Sequence, residues 1–328
     1  MSSKKVNTVK SNLHSRNKNR ERYNLKALVK SNPELATFVK PNKYGDDSVD
    51  FSNSIAVKTL NKALLNHYYG IKNWDFPDEN LCPPTPGRAD YIHYIADLLC
   101  ENNFGNIPTG NKITCLDVGV GASCIYPILG TIEYGWQFIG SDINAKSIDS
   151  SKLIVESNPI LKDKVIFRIQ ENPKDVFYHI LTREDKIDAT ICNPPFHASL
   201  EAAQRGTKRK VQNLSGKKEK TPQLNFAGIS NELVCDGGES KFIANMIRES
   251  EKFGKNCYWF TTLVSKQSNL KGIYKALDKY RANEVKTISM GTGNKSSRIV
   301  AWTFLTKLEQ KEWKLSRWKD NKKPQPPL

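Results

Sequence analysis

No part of this 328-residue chain stays apolar for the ~20 residues that a membrane-crossing helix needs. Its opening, "MSSKKVNTVKSNLHSRNKNRER", lacks the apolar stretch of a secretory leader. The seven cysteines, at 82, 100, 115, 124, 192, 235 and 257, form no C-x-x-C pair. That scatter argues against a zinc or iron–sulfur centre, so no metal is expected, and it suits reduced thiols in apolar runs. No internal repeat is visible. Acid is scarce: 34 Asp and Glu stand against 50 Lys and Arg, a formal charge of +16. What remains is a soluble, cytoplasmic globular protein, 38% hydrophobic and 26% charged. Such a charge suits a polyanionic partner, above all nucleic acid.

The charge is unevenly placed. Residues 1–30 hold nine Lys or Arg against one acid, Glu21, and residues 1–22 are expected to form a basic disordered tail. A helical module is expected over 23–110. In "SIAVKTLNKALLNHYYG" and just before it, Phe51, Ile55, Leu60, Leu64 and Leu65 recur at helical spacing. "FPDENLCPPTPGRADYIHYIADLLC" then reads as a proline-rich loop and an amphipathic helix. From Asn111 apolar strands alternate with helical stretches. The strands are expected at 113–119, 136–142, 165–170, 187–193, 257–264, 285–291 and 298–305. This alternation is that of an α/β doubly wound, mostly parallel, seven-stranded sheet over 111–308. The short "TGNKS" connection makes the last two strands an antiparallel pair at the sheet edge. A polar basic loop, 203–227, interrupts the order, and a loop of that length is usually functional or disordered. Residues 309–328, ending "KEWKLSRWKDNKKPQPPL", are expected to be a basic tail.

At the end of the first strand, "CLDVGVGASCIYP" sets Asp117, Gly119, Gly121 and Ala122, with a Ser123 hydroxyl beside them. Two glycines and a small residue let a ligand approach the backbone; the same residues also serve in a plain tight turn. Asp142 ends the next strand, twenty-three residues after Gly119. There it can accept hydrogen bonds from ribose hydroxyls, or else cap the helix that "SDINAKS" begins. The third glycine of a dinucleotide fingerprint is missing. A compact nucleoside without pyrophosphate, such as S-adenosylmethionine, fits better.

"KIDATICNPPFHAS" is an apolar strand that two prolines stop, fixing two φ angles and removing two donors. The exocyclic amine of adenine is a poor nucleophile because its lone pair is delocalised. The Asn193 side-chain oxygen and the Pro194 carbonyl can take its two hydrogens and favour the tetrahedral nitrogen of a transition state. Phe196 can stack on a base drawn out of its own stack, worth roughly 1–3 kcal/mol. The plainer reading is that Pro194 and Pro195 end a strand and Phe196 packs in the core. Position favours the first reading, since this exit lies beside the glycine-rich one, where ligands sit in open α/β sheets. His197 fits a surface or supporting residue better than a catalyst.

On these motifs the chain resembles the class I (Rossmann-like) S-adenosylmethionine-dependent methyltransferases, whose amino-methylating members carry Asp/Asn-Pro-Pro-aromatic. More narrowly it resembles the RlmF family of bacterial 23S rRNA adenine-N6 methyltransferases, whose eukaryotic relatives methylate spliceosomal and messenger RNA. The stretches that carry the likeness include "KYGDDSVDFSN", "LCPPTPGRADYIHYIADLL", "LDVGVGASCIYPILG", "CNPPFHAS", "GISNELVCDGGESKFI" and "RIVAWTFL". The resemblance implies a catalytic site of Asn193, Pro194, Pro195 and Phe196, with Asn193 also near the cofactor. It implies contacts to S-adenosylmethionine from Gly119 and Asp142, from Arg88 of "PGRADY" and from Asn172 in "QENPK". It also implies that the N-terminal module grips RNA, through Arg16, Lys18, Arg20, Arg22 and Lys43. Arg205, Lys208, Arg209 and Lys210 of the basic loop would help. The C-terminal RNA-binding domains of the eukaryotic relatives are not expected, which favours 23S rRNA or a large-subunit assembly intermediate as partner. Rival readings are a protein-glutamine N5-methyltransferase, a DNA adenine methyltransferase, and a non-catalytic RNA-binding or ribosome-assembly protein.

Overall fold

The computed structural model describes residues 13–199, 233–292 and 295–318. Its first part is a small module of α1 (Leu25–Ser31), an antiparallel ribbon of β1 (Val39–Pro41) and β2 (Asp47–Val49), and α2 (Ser54–Tyr69). Asn24 and Asn53 cap the two helices by accepting from backbone N–H groups of the first turn. Gly70, at φ 69°, ends α2 in the left-handed conformation that a side chain would resist. Leu28, Leu35, Val49, Ala56, Leu60, Ala63 and Leu64 form the module's core. Phe51 and Ile55, expected on the buried face, are exposed at 49% and 56%. The buried stripe runs through Ala56 and Ala63, which are too small to mark a face by side-chain size.

The main sheet has the strands β3 (Thr114–Val118), β4 (Gln137–Asp142), β5 (Val165–Ile169), β6 (Ile187–Cys192), β7 (Cys257–Val264), β8 (Glu284–Thr292) and β9 (Lys295–Thr303). Their order is β5-β4-β3-β6-β7-β9-β8. The first five of that order run parallel, and β9 is antiparallel to both its neighbours. This is the α/β, seven-stranded, mostly parallel sheet expected. The reversed strand, however, lies one place in from the edge. Ile299, Val300, Ala301 and Trp302 of β9 are all fully buried, as an interior strand requires, whereas Val285 of β8 is partly open to solvent.

Helices α3 (Thr85–Glu101), α4 (Ile125–Tyr134) and α5 (Ala145–Glu156) supply one apolar cluster, which includes Ile92, Leu99, Ile128, Leu129 and Ile154. Helices α6 (Gly238–Ser250) and α7 (Leu270–Lys279) supply a second, with Ile243, Met246, Ile247, Ile273 and Leu277. Because α3 belongs to the main core, the sheet domain begins before the 110/111 boundary expected. No described helix is long and apolar enough to cross a membrane.

Both ends expected to be tails are folded where the structure describes them. Residues 13–20 run along α3, with Leu13, His14, Asn17 and Asn19 buried. The His14 N–H and the Asn17 amide donate to Asp90 Oδ1, and Arg16 pairs with Asp97 at 2.6 Å. At the other end, Lys307–Arg317 form α8, opened by a capping box between Thr306 and Glu309. Its Trp313, and Trp318 beyond it, are buried. Lysine-rich composition hid the docking of α8, since two indole rings outweigh the charges of a helix whose other face is wet.

Asp188, fully buried at the start of β6, holds α8 in place. Its Oδ1 accepts from the indole N–H of Trp313 at 2.8 Å and of Trp318 at 2.7 Å. Its Oδ2 accepts from the Thr114 N–H and from Arg317 Nη2 at 2.8 and 2.9 Å. Asp188→Ala leaves the Thr114 N–H and both indole N–H groups unmatched, strips Arg317 of its carboxylate, and should remove about 3–5 kcal/mol of stability, read as a lower urea midpoint at unchanged slope. An unmoved midpoint would contradict this account of α8.

Candidate active site at the carboxyl end of the sheet

Register sets the site. Val118 of β3 pairs with Ser141 of β4 on one side and Cys192 of β6 on the other, so the three strands end level. The loop after β3 is fixed by its neighbours. The N–H groups of Gly119 and Val120 both donate to the Ser141 carbonyl at 2.9 Å. The carbonyls of Gly121, Ala122 and Ser123 accept from Ser151 Oγ, Ser150 Oγ and the Trp74 indole. Gly119 has φ 77°, and a Cβ added there would meet nothing within 4 Å. The loop therefore presents bare backbone toward open space, and it is held rigid before any ligand arrives.

Asp142 receives the Gly121 N–H on Oδ2 and the Asn144 N–H on Oδ1, each at 2.9 Å. The cap of α5 is Asn144, which accepts from Lys146 and Ser147. Asp142 is thereby released from the capping role that its sequence position also allowed, and its remaining lone pairs stay available to hydroxyl donors. Burial raises its pKa, against the three backbone N–H groups of Asn144, Gly121 and Ile143.

Asp117 is the most enclosed acid here. It is fully buried, and neither carboxylate oxygen has a hydrogen-bond partner among the described residues. Burial holds its carboxyl well above the ordinary range; the Asp142 charge adds to the rise and the Arg88 charge opposes it. Arg88 reaches the same neighbourhood from α3. Its Nη1 donates to the Tyr126 hydroxyl at 3.1 Å and its guanidinium lies 5.5 Å from that ring. Tyr126 was invisible in "SCIYP", where it reads as the start of a buried helix.

Beyond β6 the Asn193 amide oxygen is buried and likewise has no partner among the described residues. Pro194 is buried, while Pro195 and Phe196 are partly exposed. Phe196 is thus no core residue, against the plainer reading of its motif. The far end of the motif is anchored through the His197 backbone, whose N–H donates to the Leu233 carbonyl and whose carbonyl accepts from Cys235.

Other expected residues fall elsewhere. Asn172 closes its own turn: its Nδ2 donates to Asp175 at 2.8 Å and its Oδ1 accepts from Lys174, so its side chain is occupied. Ser123 is buried. Arg16 is engaged within the fold by Asp97, the Tyr134 hydroxyl and the His93 carbonyl. Lys18 pairs with Glu133 at 3.1 Å and Arg22 with Asp46 at 3.2 Å. Arg20 is half-buried, near Asp90. Lys43 lies over the exposed ring of Tyr44. Arg205, Lys208, Arg209 and Lys210 lie outside the described residues, as does the 203–227 loop.

The sequence profile of a family described as RNA methyltransferase matches residues 7–306. The ribosomal RNA large subunit methyltransferase F of Cytophaga hutchinsonii is 53% identical over 311 residues, covering 95% of this chain and 97% of that protein. Its namesake in Flavobacterium johnsoniae is 54% identical, covering 94% and 98%. Among solved structures, the hMettl16 catalytic domain in complex with the MAT2A 3'UTR hairpin 1 superposes with TM-score 0.76 at 26% identity, over 90% of this chain and 96% of that one. The N-terminal domain of human METTL16 in complex with SAH superposes with TM-score 0.70 at 25% identity, over 90% and 99%.

Two orphaned carboxylate oxygens, one orphaned amide oxygen and a glycine cradle form a lining that fits a small, partly cationic nucleoside. Asp117 carries this site's clearest pH signature. A carboxyl whose folded pKa exceeds its unfolded value of about 3.9 costs more stability as pH rises from that value toward the folded one, because only the unfolded chain has released its proton. Asp117→Asn removes that dependence. Without cofactor, its gain in Tm over the parent should widen between pH 4 and pH 7; a gap that stays constant would contradict the buried carboxyl.

Proposed function

The chain belongs to the RNA methyltransferase family and is an S-adenosylmethionine-dependent enzyme; from that premise we propose that its acceptor is N6 of one adenine in large-subunit ribosomal RNA. The single observation that carries this reading is the unpartnered, buried oxygen of Asn193 beside a partly exposed Phe196. An acceptor-only motif suits a donor with two hydrogens. The exocyclic amine of adenine has two, and Asn193 Oδ1 would take one while the Pro194 carbonyl takes the other. Held so, the nitrogen turns its lone pair out of the ring plane, and no general base is needed before transfer. Phe196 would hold the flipped base by stacking.

S-adenosylmethionine, when bound, supplies a methyl group made electrophilic by its sulfonium. Asp142 would receive ribose hydroxyls, Gly119 and Gly121 would let the ligand lie against backbone, and Asp117 and Arg88 would face its charged amino-acid end. Asp117 is suited to a cationic partner, since a buried carboxylate gains most from a charge that arrives with its ligand. Lys18, Arg22 and Lys43 keep enough exposure to meet phosphates, with Arg20 behind them. Arg16 would support them by fixing the segment they stand on. A cytoplasmic location accompanies a ribosomal substrate.

Asn193→Ala should cut methyl transfer to unmodified rRNA by about 100- to 1,000-fold, with RNA affinity within about three-fold. Labelled cofactor and filter binding read the two quantities. Transfer that survives the substitution, or RNA binding lost together with the fold, would overturn the role of Asn193.

A further inference from the structure

Asn193 must be held to a fraction of an ångström to position an amine, yet the strand that delivers it, paired with β3 as far as Cys192, loses its ladder to β7 before that point. β6 and β7 pair at Ile187↔Cys257 and Ala189↔Trp259. Beyond that point side-chain hydroxyls join the strands. The Thr261 N–H donates to Thr190 Oγ1 at 2.8 Å, and Thr261 Oγ1 donates to the Thr190 carbonyl. The Cys192 N–H, the last donor before Asn193, donates to the hydroxyl of Tyr91 at 3.3 Å. That hydroxyl is 2.8 Å from Thr261 Oγ1.

Proton counting fixes the directions. Thr261 Oγ1 gives its one hydrogen to the Thr190 carbonyl, so Tyr91 must donate to Thr261 Oγ1 while accepting from Cys192. Every hydroxyl in the relay donates once, and the chain runs Cys192, Tyr91, Thr261, Thr190. Tyr91 is fully buried, which keeps its phenol neutral and able to donate. It sits on α3, three residues after Arg88, and its ring meets that of Tyr126, the partner of Arg88, edge-on at 5.5 Å.

We propose that Tyr91, acting through the Cys192 N–H and Thr261, is a positioning residue that sets where the Asn193 oxygen stands. The inference rests on the reading of Asn193 as the acceptor of the substrate amine. Tyr91→Phe keeps the ring and deletes the relay. Its kcat for rRNA methylation should fall about 10- to 100-fold, while KM for S-adenosylmethionine and for RNA stays within about two-fold. Thr261→Val should lose a comparable factor, and Thr261→Ser, which keeps the hydroxyl, should retain most of the parent rate. The double variant Tyr91→Phe/Thr261→Val should be little worse than either single one, because both cut one chain.

These rates are compared well below each variant's Tm, with folding checked by circular dichroism. A parental kcat in folded Tyr91→Phe would overturn the proposal, as would equal losses in Thr261→Ser and Thr261→Val. Should Tyr91→Phe not fold, the serine–valine comparison decides alone. Asn193→Ala in the same series separates the two claims. If it remains active, the reading of Asn193 fails; if it is dead while the relay variants are fully active, only the positioning role of Tyr91 fails.

Discussion

A polar atom shut away from water needs a partner, and at the carboxyl end of this sheet the two carboxylate oxygens of Asp117 and the amide oxygen of Asn193 have none among the described residues. Leaving a buried acceptor unmatched costs roughly 1–3 kcal/mol, more if it is charged. The rest of the fold tolerates that cost because nearly everything around these atoms is satisfied. The glycine loop between β3 and α4 is tied down by Ser141, Ser150, Ser151, Trp74 and Asp142. The sheet holds three strand ends level. These three unmet acceptors lie where a nucleoside and an amine could complete them.

Helix α3 connects the parts. One face carries Arg88 toward Asp117 and Tyr91 toward the end of β6. Along the same helix Asp90 and Asp97 receive the N-terminal segment through His14, Arg16 and Asn17. The N-terminal segment is thus fastened to the helix that reaches both Asp117 and the end of β6. The far end of the sheet is closed separately, by α8 through Asp188.

Much of this was legible in the residues. Apolar runs marked all seven strands of the main sheet; β6 and β7, buried along their whole length, have few ways to be written. Asp142 and the Asn-Pro-Pro-Phe motif were recognisable from chemistry, since position at a strand exit narrows what such residues can do. Arg88 came only from the family resemblance: an arginine after Pro-Gly looks like any solvated loop residue until Tyr126 appears beneath it. The strap at 13–20 was missed because composition counts charges, whereas His14 and Asn17 dock through one buried aspartate far along the chain. Trp313 and Trp318 were hidden among lysines for the same reason. The turn that Asn172 closes was not legible, because an asparagine in a loop serves its own turn as readily as a ligand.

The central claim is that the acceptor is a base amine in RNA, and the product nucleoside tests it most directly. Purified protein and labelled S-adenosylmethionine would be given to rRNA, and to large-subunit particles, from cells lacking the enzyme. The RNA is then digested and its nucleosides identified by mass. The account predicts N6-methyladenosine at one site in the large-subunit RNA. Label confined to protein glutamine, or absent from both RNA and particles, would contradict it.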